Sequence, residues 1–153
     1  MSDDLRDLYQ EVILDHGRHP RNRRAMEDCD HLAHGENPLC GDQIVVFLKL
    51  DDQDRISDVS FSGQGCAIST ASASLMTEVL KGKTEAEART LFEAFHTLAT
   101  GGDPPANDVL EDEMDRLAVL SGVREYPVRV KCATLAWHTM VAALDHQDGV
   151  STE

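Results

Sequence analysis

NPLCGDQIVVFLKL, residues 37–50, changes character at one glycine. The part after Gly41 is an apolar run with β-branched residues, which predicts a buried strand. The part before it predicts a turn, with a thiol, Cys40, on one side of the glycine and a carboxylate, Asp42, on the other. An aspartate here is most simply a turn or capping residue. A sulfur and an oxygen donor so close together can also belong to a metal site.

Strand and helix signals continue on both sides of this stretch. An acidic turn, DDQD, and the segment RISDVSFSG follow it, so a β-hairpin is predicted over residues 43–63. Residues 18–37 show no period and are predicted to form a long loop. Its basic cluster is typical of a solvated loop and, less often, of a docking surface: Arg18, Arg21, Arg23 and Arg24. Apolar residues at helical spacing predict helices within residues 3–16, 62–83, 84–98, 109–123 and 128–146.

Length and charge limit the classes of protein to which this chain can belong. With 153 residues and no internal linker, we expect a single domain over residues 1–147, followed by a flexible tail at 148–153. The net charge of -14 argues against nucleic acid and anionic membranes as partners, because both are negatively charged. No apolar run is long enough to cross a bilayer and the first residues are acidic, so we expect a cytoplasmic protein with reduced cysteines.

Three of the four cysteines stand where an element is predicted to begin. Cys40 precedes a strand, Cys66 follows Gly-Gln-Gly at the start of a helix, and Cys132 lies in the first turns of the last helix. A helix N-terminus favours the thiolate, which is both the nucleophile and the metal ligand. Each cysteine alone is more simply a small buried side chain, but three at element starts favour a metal or sulfur site.

The fourth cysteine, Cys29, belongs to a different pattern. The segment CDHLAH places Cys29 close to His31 and His34, a spacing that could bind a metal. These residues are in the predicted polar loop and lack the glycines and caps that accompany the other cysteines. We therefore expect no metal at this second cluster.

Three cysteine-centred motifs, taken in order, resemble one protein family. NPLCGD, GQGCAIS with ASASLMTE, and RVKCATLAW are similar to motifs of the U-type iron–sulfur assembly proteins, the IscU/NifU N-terminal superfamily. The similarity extends from LYQEVILDH to KCATLAWHTMVAAL, nearly the whole chain. Two features resemble its SufU branch. Lys131 stands where IscU proteins have a histidine, without their chaperone-recognition segment, and residues 101–123 fit a SufU insertion.

The resemblance implies a fold, a site and an activity. The fold is α+β, a small antiparallel sheet of about three strands with helices packed on one face. Cys40, Asp42, Cys66 and Cys132 match the family's four zinc ligands, and Arg129 matches a basic residue near the site. The implied activity is that of a zinc-dependent sulfurtransferase in iron–sulfur cluster biogenesis. A SufS-type cysteine desulfurase offers a histidine to zinc, and Cys40 leaves the metal to accept persulfide sulfur for the SUF machinery.

Two other functions would use the same residues. Three thiolates and a carboxylate can hold a [2Fe-2S] cluster, which would make the chain an assembly scaffold. A closed zinc site with four ligands can also be purely structural. The missing chaperone segment and Lys131 favour sulfur transfer over the scaffold, and the three motifs favour both over a structural role.

Overall fold

The hairpin predicted over residues 43–63 forms the centre of a four-stranded sheet. The structure, a computed structural model, describes the backbone of residues 3–151 and the side chains of residues 9–151. Its elements, in chain order, are α1 (Asp3–Arg18), β1 (His31–Asn37), β2 (Asp42–Leu50), β3 (Ile56–Gln64), α2 (Ala67–Leu80), α3 (Glu85–Ala99), α4 (Glu111–Leu117), a 3-10 helix (Ala118–Glu125), α5 (Pro127–Leu144) and β4 (Gly149–Ser151). None of the described helices is both long and apolar enough to cross a membrane.

The sheet is mixed, with the strand order β3-β2-β1-β4. Strands β1, β2 and β3 are antiparallel neighbours, as expected, but β4 pairs in parallel with β1. The prediction of a flexible tail from residue 148 is therefore wrong for Gly149–Ser151, whose pairing continues a hydrogen bond of 2.8 Å from the His34 amide to the Asp148 carbonyl. Residues 1–2 and 152–153 of the predicted domain and tail lie outside the described residues.

Helices α2 and α5 cover one face of the sheet and enclose the core, which confirms the predicted α+β arrangement. Helix α5 packs across β1 and β2, and α2 packs against β3. Small residues let these two helices approach closely, and the Ser72 hydroxyl of α2 donates a hydrogen bond to the Ala133 carbonyl of α5. Trp137 stacks on Phe95 with 5.0 Å between ring centroids and so joins α5 to α3.

Strand β1 lies inside the segment that the sequence predicts to be a loop, so that prediction is wrong for His31–Asn37. The residues that face the helices are Ala33, Gly35 and Asn37. A methyl group on Gly35 would lie 2.0 Å from Thr139 Oγ1 of α5. Because the helix contacts the strand backbone, only small residues fit there, and the apolar alternation that normally reveals a strand is absent.

Residues 22–30, which include part of the basic cluster, cross from the edge strand β3 to the start of β1: the Phe61 amide donates to the Asn22 carbonyl, and the Asp30 amide donates to the Leu48 carbonyl. The Arg23 guanidinium donates to the Gly63 carbonyl at 2.7 Å, and Arg24 forms an ion pair with Asp58 at 2.6 Å. These arginines therefore anchor the crossing segment to the edge strand β3. These contacts favour the interpretation of the basic cluster as part of a surface loop over its interpretation as a free docking surface.

Candidate metal centre

One end of the sheet brings the three cysteine motifs together. Strand pairing places Asn37, the last residue of β1, opposite Asp42, the first residue of β2, and Cys40 lies in the turn between them. Strand β3 ends at the same edge and leads into Cys66, the residue that caps α2. Cys132 lies in the second turn of α5, which crosses β1 and β2. Residues that are far apart in the chain thus meet where the strands and helices begin.

Three of the four predicted ligands form a compact group. The ligand atoms of Cys40, Asp42 and Cys132 all lie within 4.8 Å of one another. The two sulfurs are 3.2 Å apart, with the Cys132 thiol donating to Cys40 Sγ. Cys132 is buried, whereas Cys40 is exposed. Two Zn–S bonds of about 2.3 Å at a tetrahedral angle separate their sulfurs by about 3.8 Å, so the thiols are close to the spacing that zinc needs.

Asp42 is a buried carboxylate with one oxygen unpaired, and only 1% of the residue is exposed. Its Oδ1 accepts a hydrogen bond from the Cys66 amide at 2.9 Å, but its Oδ2 has no hydrogen-bond partner. A carboxylate out of water and without a full set of partners is unfavourable unless a cation compensates it. Within the 4.8 Å group, a divalent metal is the partner that fits this oxygen.

Cys66 lies beside the group, with its backbone amide hydrogen-bonded to Asp42 and its side chain near that of Cys132. Its Sγ accepts a hydrogen bond from the Ser69 amide at 3.4 Å, as the side chain of a helix cap does, and lies outside the 4.8 Å group. The Cys66 amide donates to Asp42, so the residue is already fixed beside the site. The structure therefore places three predicted ligands together and the fourth next to them.

Burial strongly raises the pKa of the Cys132 thiol, and the neighbouring side chains of Cys40, Asp42 and Cys66 raise it further. A thiol in this setting stays protonated unless a positive charge compensates the thiolate. Zinc supplies that charge and deprotonates its cysteine ligands. The donor set, a buried thiol, a surface thiol and an unpaired carboxylate oxygen, thus fits a zinc ion.

The remaining predicted residues are not members of this group. Arg129 is exposed on the first turn of α5, and its guanidinium stacks on the Tyr126 ring at 4.5 Å from the centroid. Cys29 and its two neighbouring histidines contribute to no group of three ligand atoms among the described residues. His31 instead contacts His146 edge to face, with 4.4 Å between ring centroids.

Asn37 was not singled out by sequence reasoning, whereas Gly65 was expected to allow close backbone approach at Cys66. Asn37 is fully buried, and its Nδ2 donates to Cys132 Sγ at 3.7 Å. Gly65 leaves no room for a side chain, because an added Cβ would lie 2.8 Å from Asp42 Oδ1. Both residues stand inside the quoted cysteine motifs, so their positions were visible, but their contacts depend on the tertiary fold.

Known proteins are similar to this chain in both sequence and fold. The NifU-like N terminal domain family matches residues 8–145. The zinc-dependent sulfurtransferase SufU of Bacillus subtilis (strain 168) is 37% identical over 142 residues, 93% of this chain and 92% of its own. The iron-sulfur cluster assembly scaffold protein IscU of Streptococcus pyogenes serotype M1 is 37% identical over 140 residues, 92% of this chain and 84% of its own. The structure of FiSufU from Fervidobacterium islandicum AW-1 has a TM-score of 0.80 at 33% identity, covering 88% of this chain and 94% of that one.

Equal identity to a sulfurtransferase and to a scaffold does not separate these two activities. The broader assignment is the same for both relatives, for the family match and for the shared fold. The chain therefore belongs to the NifU-like N-terminal domain family of iron–sulfur cluster assembly proteins, together with the IscU and SufU proteins.

Proposed function

We propose that this protein is a zinc-dependent sulfurtransferase that takes sulfur from a SufS-type cysteine desulfurase and passes it to the SUF cluster scaffold in the cytoplasm. Cys40, Asp42, Cys66 and Cys132 hold the zinc, and Cys40 is the sulfur acceptor. The similarity to a named zinc-dependent sulfurtransferase and the SufU-like features of the sequence support this assignment.

The observation that carries the proposal is the difference between Cys40 and the other members of the group. Asp42 and Cys132 are buried on regular elements, and Cys66 is exposed but fixed as the cap of α2, whereas Cys40 is exposed in a short turn. Gly41 beside it has φ of +72°, and nothing lies within 4 Å of the position that a Cβ would take. Cys40 can therefore leave the ligand set by movement of the turn, while the buried ligands keep their places.

The transfer step requires only thiol exchange. When bound, zinc would hold the cysteines as thiolates and shield them from oxidation. A histidine of the desulfurase would take the place of Cys40 among the ligands and so free its thiolate. The freed Cys40 thiolate attacks the outer sulfur of the desulfurase persulfide, an S–S bond forms on Cys40, and the S–S bond of the partner breaks. The partner cysteine departs as a thiolate, so the step involves no net oxidation or reduction.

Two basic residues support this site electrostatically. Three thiolates and one carboxylate on a divalent ion leave a net charge of about -2. Arg129 and Lys131 are on α5 immediately before Cys132 and reduce this negative potential. Arg129 stacks on Tyr126 at the protein surface, where its guanidinium is available to a docked partner.

A second candidate function is assembly of a [2Fe-2S] cluster on the same four residues. It is favoured by the relatives named as IscU scaffold proteins, from Streptococcus pyogenes and from Thermotoga maritima, which is 36% identical over 137 residues. Thiolates and a carboxylate are suitable ligands for such a cluster. Under this alternative, Cys40 remains a ligand and does not carry a persulfide.

Alanine release from cysteine by the cognate desulfurase separates the two functions. The enzyme is assayed with and without the zinc-loaded protein, and with a mild reductant as the sole other acceptor. Strong stimulation that Cys40→Ala abolishes supports the sulfurtransferase. Cys29→Ala is the matched control, because this thiol lies outside the site and its loss should leave the stimulation unchanged.

Anaerobic reconstitution with iron and sulfide provides the opposing result. No stimulation, together with an iron–sulfur absorption band, would favour the scaffold. Asp42→Ala sharpens the comparison, since loss of the carboxylate should give a coloured protein if the chain is a scaffold. If the chain is a sulfurtransferase, Asp42→Ala should remain colourless and bind zinc more weakly.

A further inference from the structure

We propose that Asn37 is a positioning residue that retains Cys132 in the ligand set while Cys40 departs, and so determines which thiol accepts sulfur. This inference rests on the proposed function and adds a residue to it. It depends on how the three thiols are hydrogen-bonded, because they are chemically identical but differ in the N–H groups that reach their sulfurs.

Asn37 is a polar residue with no exposed surface at the end of β1. Its side-chain Nδ2 donates to Cys132 Sγ at 3.7 Å, and its Oδ1 has no hydrogen-bond partner. An amide buried with one atom unpaired is unfavourable for folding alone. Its position is explained if the N–H···S contact to Cys132 has a role in the site.

The backbone of the same residue closes the turn that carries Cys40. The Asn37 carbonyl accepts hydrogen bonds from the Cys40 amide at 3.2 Å and from the Gly41 amide at 2.9 Å. Asn37 is thus the fixed base of the mobile turn through its backbone and the partner of the buried thiol through its side chain. One residue connects the ligand that leaves to a ligand that stays.

The three sulfurs therefore differ in the N–H groups that donate hydrogen bonds to them. Cys66 Sγ accepts from the Ser69 amide, and Cys132 Sγ accepts from Asn37, whereas no N–H group among the described residues donates to Cys40 Sγ. An N–H donor stabilises a thiolate and lowers its tendency to react, as groups around metal ligands generally do. Cys40 is consequently the least stabilised thiolate of the set and the one that leaves.

Brief alkylation of the zinc-loaded full chain with iodoacetamide tests this role, with the label at each cysteine quantified by mass spectrometry. In the wild type, Cys40 should react first and Cys132 last. Asn37→Val removes the donor, and we expect the rate at Cys132 relative to Cys66 to rise about tenfold. The threonine of Asn37→Thr has the same shape as the valine but carries a hydroxyl donor. The ratio of the Cys132 rate to the Cys66 rate should therefore stay near that of the wild type.

Equal ratios in the Thr and Val variants would overturn the role of Asn37, because they differ only in the donor. A purely structural role would raise labelling of all three cysteines in both variants, which also counts against the inference. The smaller pair Asn37→Ser and Asn37→Ala repeats the comparison if Asn37→Val or Asn37→Thr does not fold. No desulfurase is present, so failure here is distinct from failure of sulfur acceptance, which alanine release reports.

Discussion

Gly65 lies against the candidate metal centre, where there is no room for a side chain larger than its hydrogen atom. A Cβ at this position would lie 2.8 Å from Asp42 Oδ1 and 3.0 Å from Ser69 Oγ. Both distances are shorter than ordinary contacts, so a methyl group must displace the carboxylate or the start of α2. The residue before Cys66 is thus constrained by the ligand group rather than by its own backbone.

We predict that Gly65→Ala weakens zinc binding by about 10- to 100-fold, because it moves the carboxylate that completes the ligand set. Competition with a chromophoric chelator measures the affinity. Gly122→Ala is the control, since nothing lies within 4 Å of its added Cβ. Wild-type affinity in Gly65→Ala would contradict the prediction and mean that the start of α2 moves instead of the Asp42 carboxylate.

His16 is a second residue whose environment has a measurable consequence. It is buried between α1 and α2, with Nδ1 2.7 Å from Ser74 Oγ and Nε2 3.7 Å from Glu78. Burial lowers its pKa, and the nearby Arg21 lowers it further, against the opposite effect of Glu78. The folded protein therefore binds a proton at His16 less readily than the unfolded chain does.

This difference predicts a loss of stability on acidification. Below the unfolded pKa of about 6.5, the unfolded chain takes up a proton that the folded protein resists, so the free energy of unfolding falls as the pH decreases. The advantage of wild type over His16→Gln in urea unfolding should therefore shrink between pH 7.5 and 5.5. A constant difference across this range would contradict the prediction. Using the difference between the two proteins cancels the contributions of other groups, including His138, whose pKa burial also lowers.

The elements differ in how well the sequence pattern predicts them, and β1 is the one that it misses within the sheet core. Hairpin strands β2 and β3 and the long helices carry apolar residues at regular spacing, so they were predictable. The capping box of Thr84 and Glu87 at the start of α3 was also predictable, because it depends on residues three positions apart. Strands β1 and β4 have few apolar residues. β1 pairs with its neighbour β2 across the Cys40 turn and β4 pairs with the distant β1, and apolar spacing records neither pairing.

Close contact between β1 and α5 leads to a prediction about stability. In Gly35→Ala, the added methyl meets Thr139 Oγ1 at 2.0 Å and must separate the helix from the sheet. We expect a loss of about 1–3 kcal/mol, which is typical of overpacking a core. Urea unfolding measures it.

The double variant Gly35→Ala/Thr139→Ala provides the control, because it removes the hydroxyl that the methyl meets. It should recover part of the stability lost by Gly35→Ala, beyond any effect of Thr139→Ala alone. Strict additivity of the two substitutions would show that the contact at Thr139 is not the source of the strain.

For the whole molecule, the candidate site was predictable in its membership and not in its arrangement. Cys40, Asp42, Cys66 and Cys132 could be named because each stands in a recognisable motif at the start of an element. The unpaired Oδ2 of Asp42 depends instead on the packing of α5 against the sheet. The same packing sets the burial of Cys132 and the donor from Asn37, so these features follow from long-range contacts alone.

The net charge of -14 leads to a prediction at this scale. Like charges over the surface repel one another and destabilise the compact state, and salt screens that repulsion. Raising NaCl from about 0.05 to about 0.5 M should therefore increase the Tm by a few degrees, within the roughly 2–4 °C that 1 kcal/mol represents for this size. Differential scanning calorimetry of the zinc-loaded protein measures the change.

A triple variant that neutralises exposed acidic residues is the comparison: Asp52→Asn, Asp54→Asn and Glu93→Gln. With fewer negative charges it should respond less steeply to salt. A Tm that falls with salt in the wild type would mean that local ion pairs, such as Arg24 with Asp58, outweigh the overall repulsion.

The short turn that holds Cys40 also affects how this protein can adapt to heat. It lies between β1 and β2, outside the buried apolar core, and the space beside its glycine is open. Substitutions that harden the core against heat therefore act on parts of the chain that need not move during transfer. Thermal stability and the rate of sulfur acceptance should therefore be separately adjustable by substitution.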